Sequence, residues 1–107
     1  LLSSRVGERG AAGQAAYAAS KAAMLALCKT AAREGAESGI CVNAICPPFV
    51  PSALSENLSG EAMQALQSQS VFGCEGSARE VVGAVQWLLG DAAGAISGQV
   101  IHCDARI

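Results

Sequence analysis

A chain of 107 residues has room for one modest hydrophobic core. It is 51% hydrophobic and only 15% charged, with a mean hydropathy of +0.35, yet no apolar run approaches the roughly 20 residues of a membrane span. The formal net charge of −2 and the lack of a basic cluster argue against a nucleic-acid partner.

Leu1-Leu2-Ser3-Ser4 reads as the end of a strand and residues 5–13 as a Gly-rich loop. An Ala-rich helix is predicted over residues 15–35, ending near Gly35, with Tyr17, Met24, Leu25 and Cys28 on its apolar side. The run Ile40-Cys41-Val42-Asn43-Ala44-Ile45-Cys46 suits a buried parallel strand. Pro47-Pro48 stops it, since proline cannot donate to a ladder. Residues 48–58 are expected to form a loop, and Ser59 to cap a short helix over 60–69. Ser77 and Glu80 have capping-box spacing and open a helix predicted to bury Val81, Val85, Leu88 and Leu89. Gly98 leads into a last strand, Gln99-Val100-Ile101-His102-Cys103. Strand, helix, strand, helix, strand is the α/β pattern, with parallel strands and right-handed crossovers. With no internal repeats or linkers, residues 1–107 are expected to belong to one domain.

The residues with most chemical content are Tyr17 and Lys21. On a helix, an i, i+4 pair shares one face, with Cβ atoms roughly 5–6 Å apart. A phenol with a pKa of about 10 is a poor acid–base catalyst at neutral pH unless a neighbouring cation favours the phenolate. Ser4, at the strand end, adds a hydroxyl ahead of this helix, and the three together make a carbonyl-handling site. Taken singly, each has a plain alternative: an amphipathic core tyrosine, a solvated lysine, a strand-closing serine.

The five cysteines, Cys28, Cys41, Cys46, Cys74 and Cys103, form no C-x-x-C pair and show no metal-ligand spacing with the lone His102. Buried, reduced thiols in a cytoplasmic protein are expected, and no metal. His102 reads as a structural histidine without an evident partner, and Trp87 as core or interface.

The segment from Ser4 through Tyr17-Ala18-Ala19-Ser20-Lys21 resembles the active-site block of the short-chain dehydrogenase/reductase family. Gly39-Ile40-Cys41-Val42-Asn43-Ala44-Ile45-Cys46-Pro47 and Ile96-Ser97-Gly98-Gln99-Val100-Ile101-His102-Cys103-Asp104 resemble its later strands, in the same order. The Gly7, Gly10, Gly13-Gln14 loop is most similar to that of 3-oxoacyl-carrier-protein reductases and related ketone reductases. The resemblance implies a partial Rossmann-like, doubly wound parallel sheet comprising the last three strands with their helices. It also implies an oxidoreductase that moves hydride between NADP or NAD, NADP being favoured, and a small ketone or alcohol. In that reading Tyr17 exchanges the proton, Ser4 holds the substrate oxygen, and Lys21 favours the phenolate and binds the nicotinamide ribose. Pro47, Val50 and Ser52 would face the nicotinamide.

Two departures from the family stand out. Pro48 replaces the usual Gly after Pro47, and Asp104-Ala105-Arg106-Ile107 replaces Asp-Gly-Gly. Ser52 for Thr is a milder change. The Gly-rich turn that carries a dinucleotide pyrophosphate is not found after a first strand. The chain, which begins at Leu1, is therefore expected to be the C-terminal half of a longer enzyme, inactive and marginally stable alone. Homo-oligomer contacts through the helix at 15–35, the helix at 78–90 and the last strand are also implied. The apolar residues of 48–76 lean toward an acyl substrate. The alternatives are a non-catalytic truncated or pseudoenzyme subunit acting through oligomer contacts, or a dehydratase or epimerase using the same Tyr/Lys pair.

Overall fold

The computed structural model describes residues 1–72 and 76–103. Cys74 and the Asp104-Ala105-Arg106-Ile107 ending lie outside the described residues. The elements are α1 (Val6–Arg9), α2 (Ala15–Gly35), β1 (Ala44–Cys46), α3 (Gly60–Ser68), α4 (Ala78–Leu89) and β2 (Val100–His102). They form an α/β fold consistent with part of a Rossmann-like sheet.

Strand β1 lies in the middle. It pairs in parallel with β2, register Ala44 to Val100, Ile45 to Ile101 and Cys46 to His102. On its other side it bridges in parallel to Leu2, through Ser3 N–H to Ile45 O and Ile45 N–H to Leu1 O, both 2.8 Å. Both strands are shorter than their apolar runs. Ahead of Ala44 the backbone N–H of Val42 goes to Ser97 Oγ (3.1 Å) and the Asn43 side chain to Ile96 O (2.8 Å). Side chains there take over ladder positions, so Ile40-Cys41-Val42-Asn43 lies outside the strand.

Alanine, the best helix former, fills α2. The α-helix ends at Gly35 as expected, and a 3₁₀ turn over Ala36–Ser38 carries the chain on to Gly39, at φ 69°. Gly39 N–H bonds to Ala36 O and Ile40 N–H to Gly35 O, each 3.0 Å, the paired bonds of a Schellman stop. Small side chains seat α2 on the sheet. Cys28 is completely buried, and its thiol approaches Val42 O at 3.5 Å and Gln99 O at 3.8 Å. With Ala32, Ala44, Ile45, Cys46 and Ala93 it makes the core.

Several expectations need correction. The 5–13 segment is not all loop, because α1 forms within it. Residues 53–55 likewise form a 3₁₀ turn, closed by Ser55 Oγ bonding both N–H and O of Ser52 at 2.8 Å. Tyr17 lies eleven residues, three helical turns, before the buried Cys28 and so on the same side of α2, but it is itself 46% exposed. The Ser77 and Glu80 cap forms as expected, with Glu80 accepting from Ser77 N–H and Oγ–H at 2.6 Å. Yet α4 buries none of its residues; Val81 and Leu88 are half-covered, while Trp87 is 43% and Leu89 83% exposed. The amphipathic pattern is real, but too little protein lies opposite to cover it. Among the described residues no helix is long and apolar enough to cross a membrane.

Candidate active site

Ser4 follows the Leu1-Leu2-Ser3 stretch that pairs with β1. Its Oγ accepts from Val6 N–H at 3.2 Å and its carbonyl from Gly7 N–H at 3.0 Å. The serine thus starts α1, and a hydroxyl that accepts one bond still has its O–H to donate.

Helix α1 rests directly on α2. A Cβ built on Gly7 would stand 2.6 Å from the Lys21 carbonyl carbon, a distance only glycine tolerates. Ser3, 2% exposed, donates its hydroxyl to Lys21 O at 2.8 Å. The Lys21 backbone is therefore gripped from the strand and from α1. Its ammonium donates to Leu2 O at 3.1 Å and lies 5.7 Å from the centroid of the Tyr17 ring. The structure brings Tyr17 and Lys21 onto one face, and ties Lys21 to the strand that ends at Ser4. Ser3 was not singled out in the sequence; its signal is adjacency to Ser4, and only the fold shows which hydroxyl points at the helix.

Pro47, Val50 and Ser52 follow the C-terminal end of β1. Since the strands are parallel, Ser4 and Pro47 leave the sheet at the same end, the end where open α/β sheets bind ligands. Pro47 and Val50 are half-buried and Ser52 is exposed. The Pro48 departure has a visible partner: its ring packs on Gly76, where any Cβ would overlap it, and Gly76 N–H bonds to Phe49 O at 3.1 Å. The far end of the 48–76 segment thus closes back onto its start.

A cleft of about 440 Å³ lies between Arg5, Arg9 and Gln14 on one wall and Leu66 and Gln69 on the other; Ser4, Tyr17 and Lys21 do not line it. It is of ligand size. His102 also differs from expectation, since its Nε2 lies 3.2 Å from Glu8 Oε1.

Similarity to known proteins extends over nearly the whole chain. The family model described as enoyl-(acyl carrier protein) reductase matches residues 1–105. The chain is 39% identical over 101 residues to the 3-oxoacyl-(acyl-carrier-protein) reductase of Salmonella typhimurium, covering 94% of this chain and 41% of that protein. Against the reductases of the same name from Staphylococcus aureus and Escherichia coli, identity is 42% and 38% over the same shares. The chain spans about two fifths of the length of the curated relatives it matches.

Proposed function

The chain belongs to the short-chain dehydrogenase/reductase family, and from that membership we propose that it is the catalytic C-terminal part of one NAD(P)-binding domain, which reduces a ketone or oxidises the matching alcohol. The observation that carries this reading is Lys21, whose ammonium sits beside Tyr17 while bonded to the strand leading into Ser4.

Tyr17 gives its phenolic proton to the substrate oxygen in reduction and takes it back in oxidation. Its exposure leaves the hydroxyl open to an incoming substrate. Ser4 donates to the same oxygen and holds it in place. Lys21 stabilises negative charge left on the phenol oxygen and donates toward a ribose hydroxyl. A nicotinamide dinucleotide, NADP being favoured over NAD, supplies or accepts the hydride. The donor set fits its nicotinamide end: the ammonium of the half-buried Lys21, the backbone from Pro47 to Val50, and the Ser52 hydroxyl. The adenine end requires residues beyond this chain, so the chain alone should not turn over.

The reductase names of its relatives favour a small carbonyl or acyl substrate. The four described cysteines form no disulfide, which suits the cytoplasm, although only Cys28 and Cys46 are buried, Cys41 being exposed and Cys103 half-buried. The apolar face of α4, with Val82, Val85 and Trp87 exposed, favours burial against more protein, including a second copy. It equally suits the second reading, a non-catalytic subunit working through such contacts.

The deciding test is Tyr17→Phe in a longer protein containing this chain, with dinucleotide binding measured in parallel. Activity should fall at least about 100-fold, within the range for a lost general acid, with binding retained. Near-normal turnover by the variant would overturn the assignment, and no turnover by either protein would favour the subunit reading.

A further inference from the structure

The end of the sheet that carries Pro47 gathers a second group of side chains. Cys46 and His102 are register partners on adjacent parallel strands. Paired residues project from the same face, so thiol and imidazole stand side by side. Cys46 is completely buried at the end of β1, and His102 closes β2. Glu8 reaches them from α1, its Oε1 3.2 Å from His102 Nε2. One sulfur, one imidazole nitrogen and one carboxylate oxygen lie within 4.8 Å of one another.

We infer that Glu8, Cys46 and His102 form a binding site for one divalent transition-metal ion, zinc being the best match. A thiolate, an imidazole and a carboxylate are the donor types zinc accepts together. Tetrahedral bonds of about 2.0–2.3 Å place ligand atoms roughly 3.3–3.8 Å apart. The Glu8–His102 pair already has nearly that spacing, at 3.2 Å. The wider separations, within 4.8 Å, close by side-chain rotation of Glu8 and His102, each 31% exposed, against a buried Cys46 held by the sheet. On binding, the Cys46 S–H bond breaks, its proton passes to solvent, and the sulfur electron pair forms the metal–thiolate bond without redox change. Three protein ligands leave a fourth position for water. None of the three is assigned to proton transfer or to the nicotinamide.

The test is titration of a longer protein containing this chain with cobalt(II), read by the thiolate-to-metal charge-transfer band in the near ultraviolet, with zinc as competitor. One equivalent should bind, and zinc should displace it. The band should vanish in Cys46→Ser and persist in a triple Cys41→Ser, Cys74→Ser, Cys103→Ser variant. Glu8→Gln, an exposed change that leaves folding intact, should weaken binding by at least the roughly 10–100-fold seen for loss of outer-sphere partners. His102→Ala should do the same or more, with circular dichroism checking that each variant is folded. Absence of a band, its survival in Cys46→Ser, its loss in the triple variant, or unchanged affinity in Glu8→Gln would overturn the site and leave Glu8 and His102 as a plain ion pair.

Discussion

The α-carbon of Gly7 rests on the backbone of Lys21: a methyl group added there would sit 2.6 Å from the Lys21 carbonyl carbon and 2.8 Å from the Ala22 nitrogen. Helix α1 can dock on α2 only because that methyl is missing. Gly7→Ala is expected to cost about 1–3 kcal/mol, the usual range for overpacking, measured as a shift in urea midpoint. A neutral Gly7→Ala would mean that α1 does not dock as described.

Gly83 is the opposite case. It lies inside α4 with open space around its α-carbon. Gly83→Ala should stabilise the fold by about 0.5–1 kcal/mol, through reduced chain entropy and better helix propensity. The same urea titration reads it, and a destabilised variant would refute the exposure of that face.

Asn43 clamps the start of β1 to the approach of β2. Its Nδ2 donates to Ile96 O at 2.8 Å and its Oδ1 accepts from Gln99 N–H at 3.1 Å. Asn43→Ala removes both bonds and should cost about 1–3 kcal/mol. Amide hydrogen exchange should localise the loss, with faster exchange at Gln99 than in α2; uniform acceleration would argue against a local clamp.

At the start of α4, hydrogen bonds from the Ser77 hydroxyl and then the Ser77 backbone N–H hold the Glu80 carboxyl below its ordinary range. A carboxyl depressed in the folded state contributes stability above its unfolded pKa of about 4.3 and loses it as the pH falls through the folded value. The native chain should therefore exceed Glu80→Gln in thermal midpoint near neutral pH, and the two should converge in acid. A difference independent of pH would show that the carboxylate charge contributes nothing there.

Local patterns were readable in the chain from short-range physics. The Ala-rich run foretold α2 because alanine loses the least on becoming helical. Ser59 and the Ser77–Glu80 pair marked two helix starts because they bond to backbone within one turn. Pro47 marked the end of β1, and the spacing of Tyr17 and Lys21 placed them on one face. What covers a face is a long-range matter. The apolar stripe of α4 predicted burial that this chain does not provide, and Tyr17 proved exposed. Only the tertiary structure made Ser3 and Gly7 the grips on Lys21, set Gly76 under Pro48, and brought Glu8 to His102 beside Cys46. Those contacts depend on strand register and helix docking, which join residues far apart in sequence and leave no periodic trace along it.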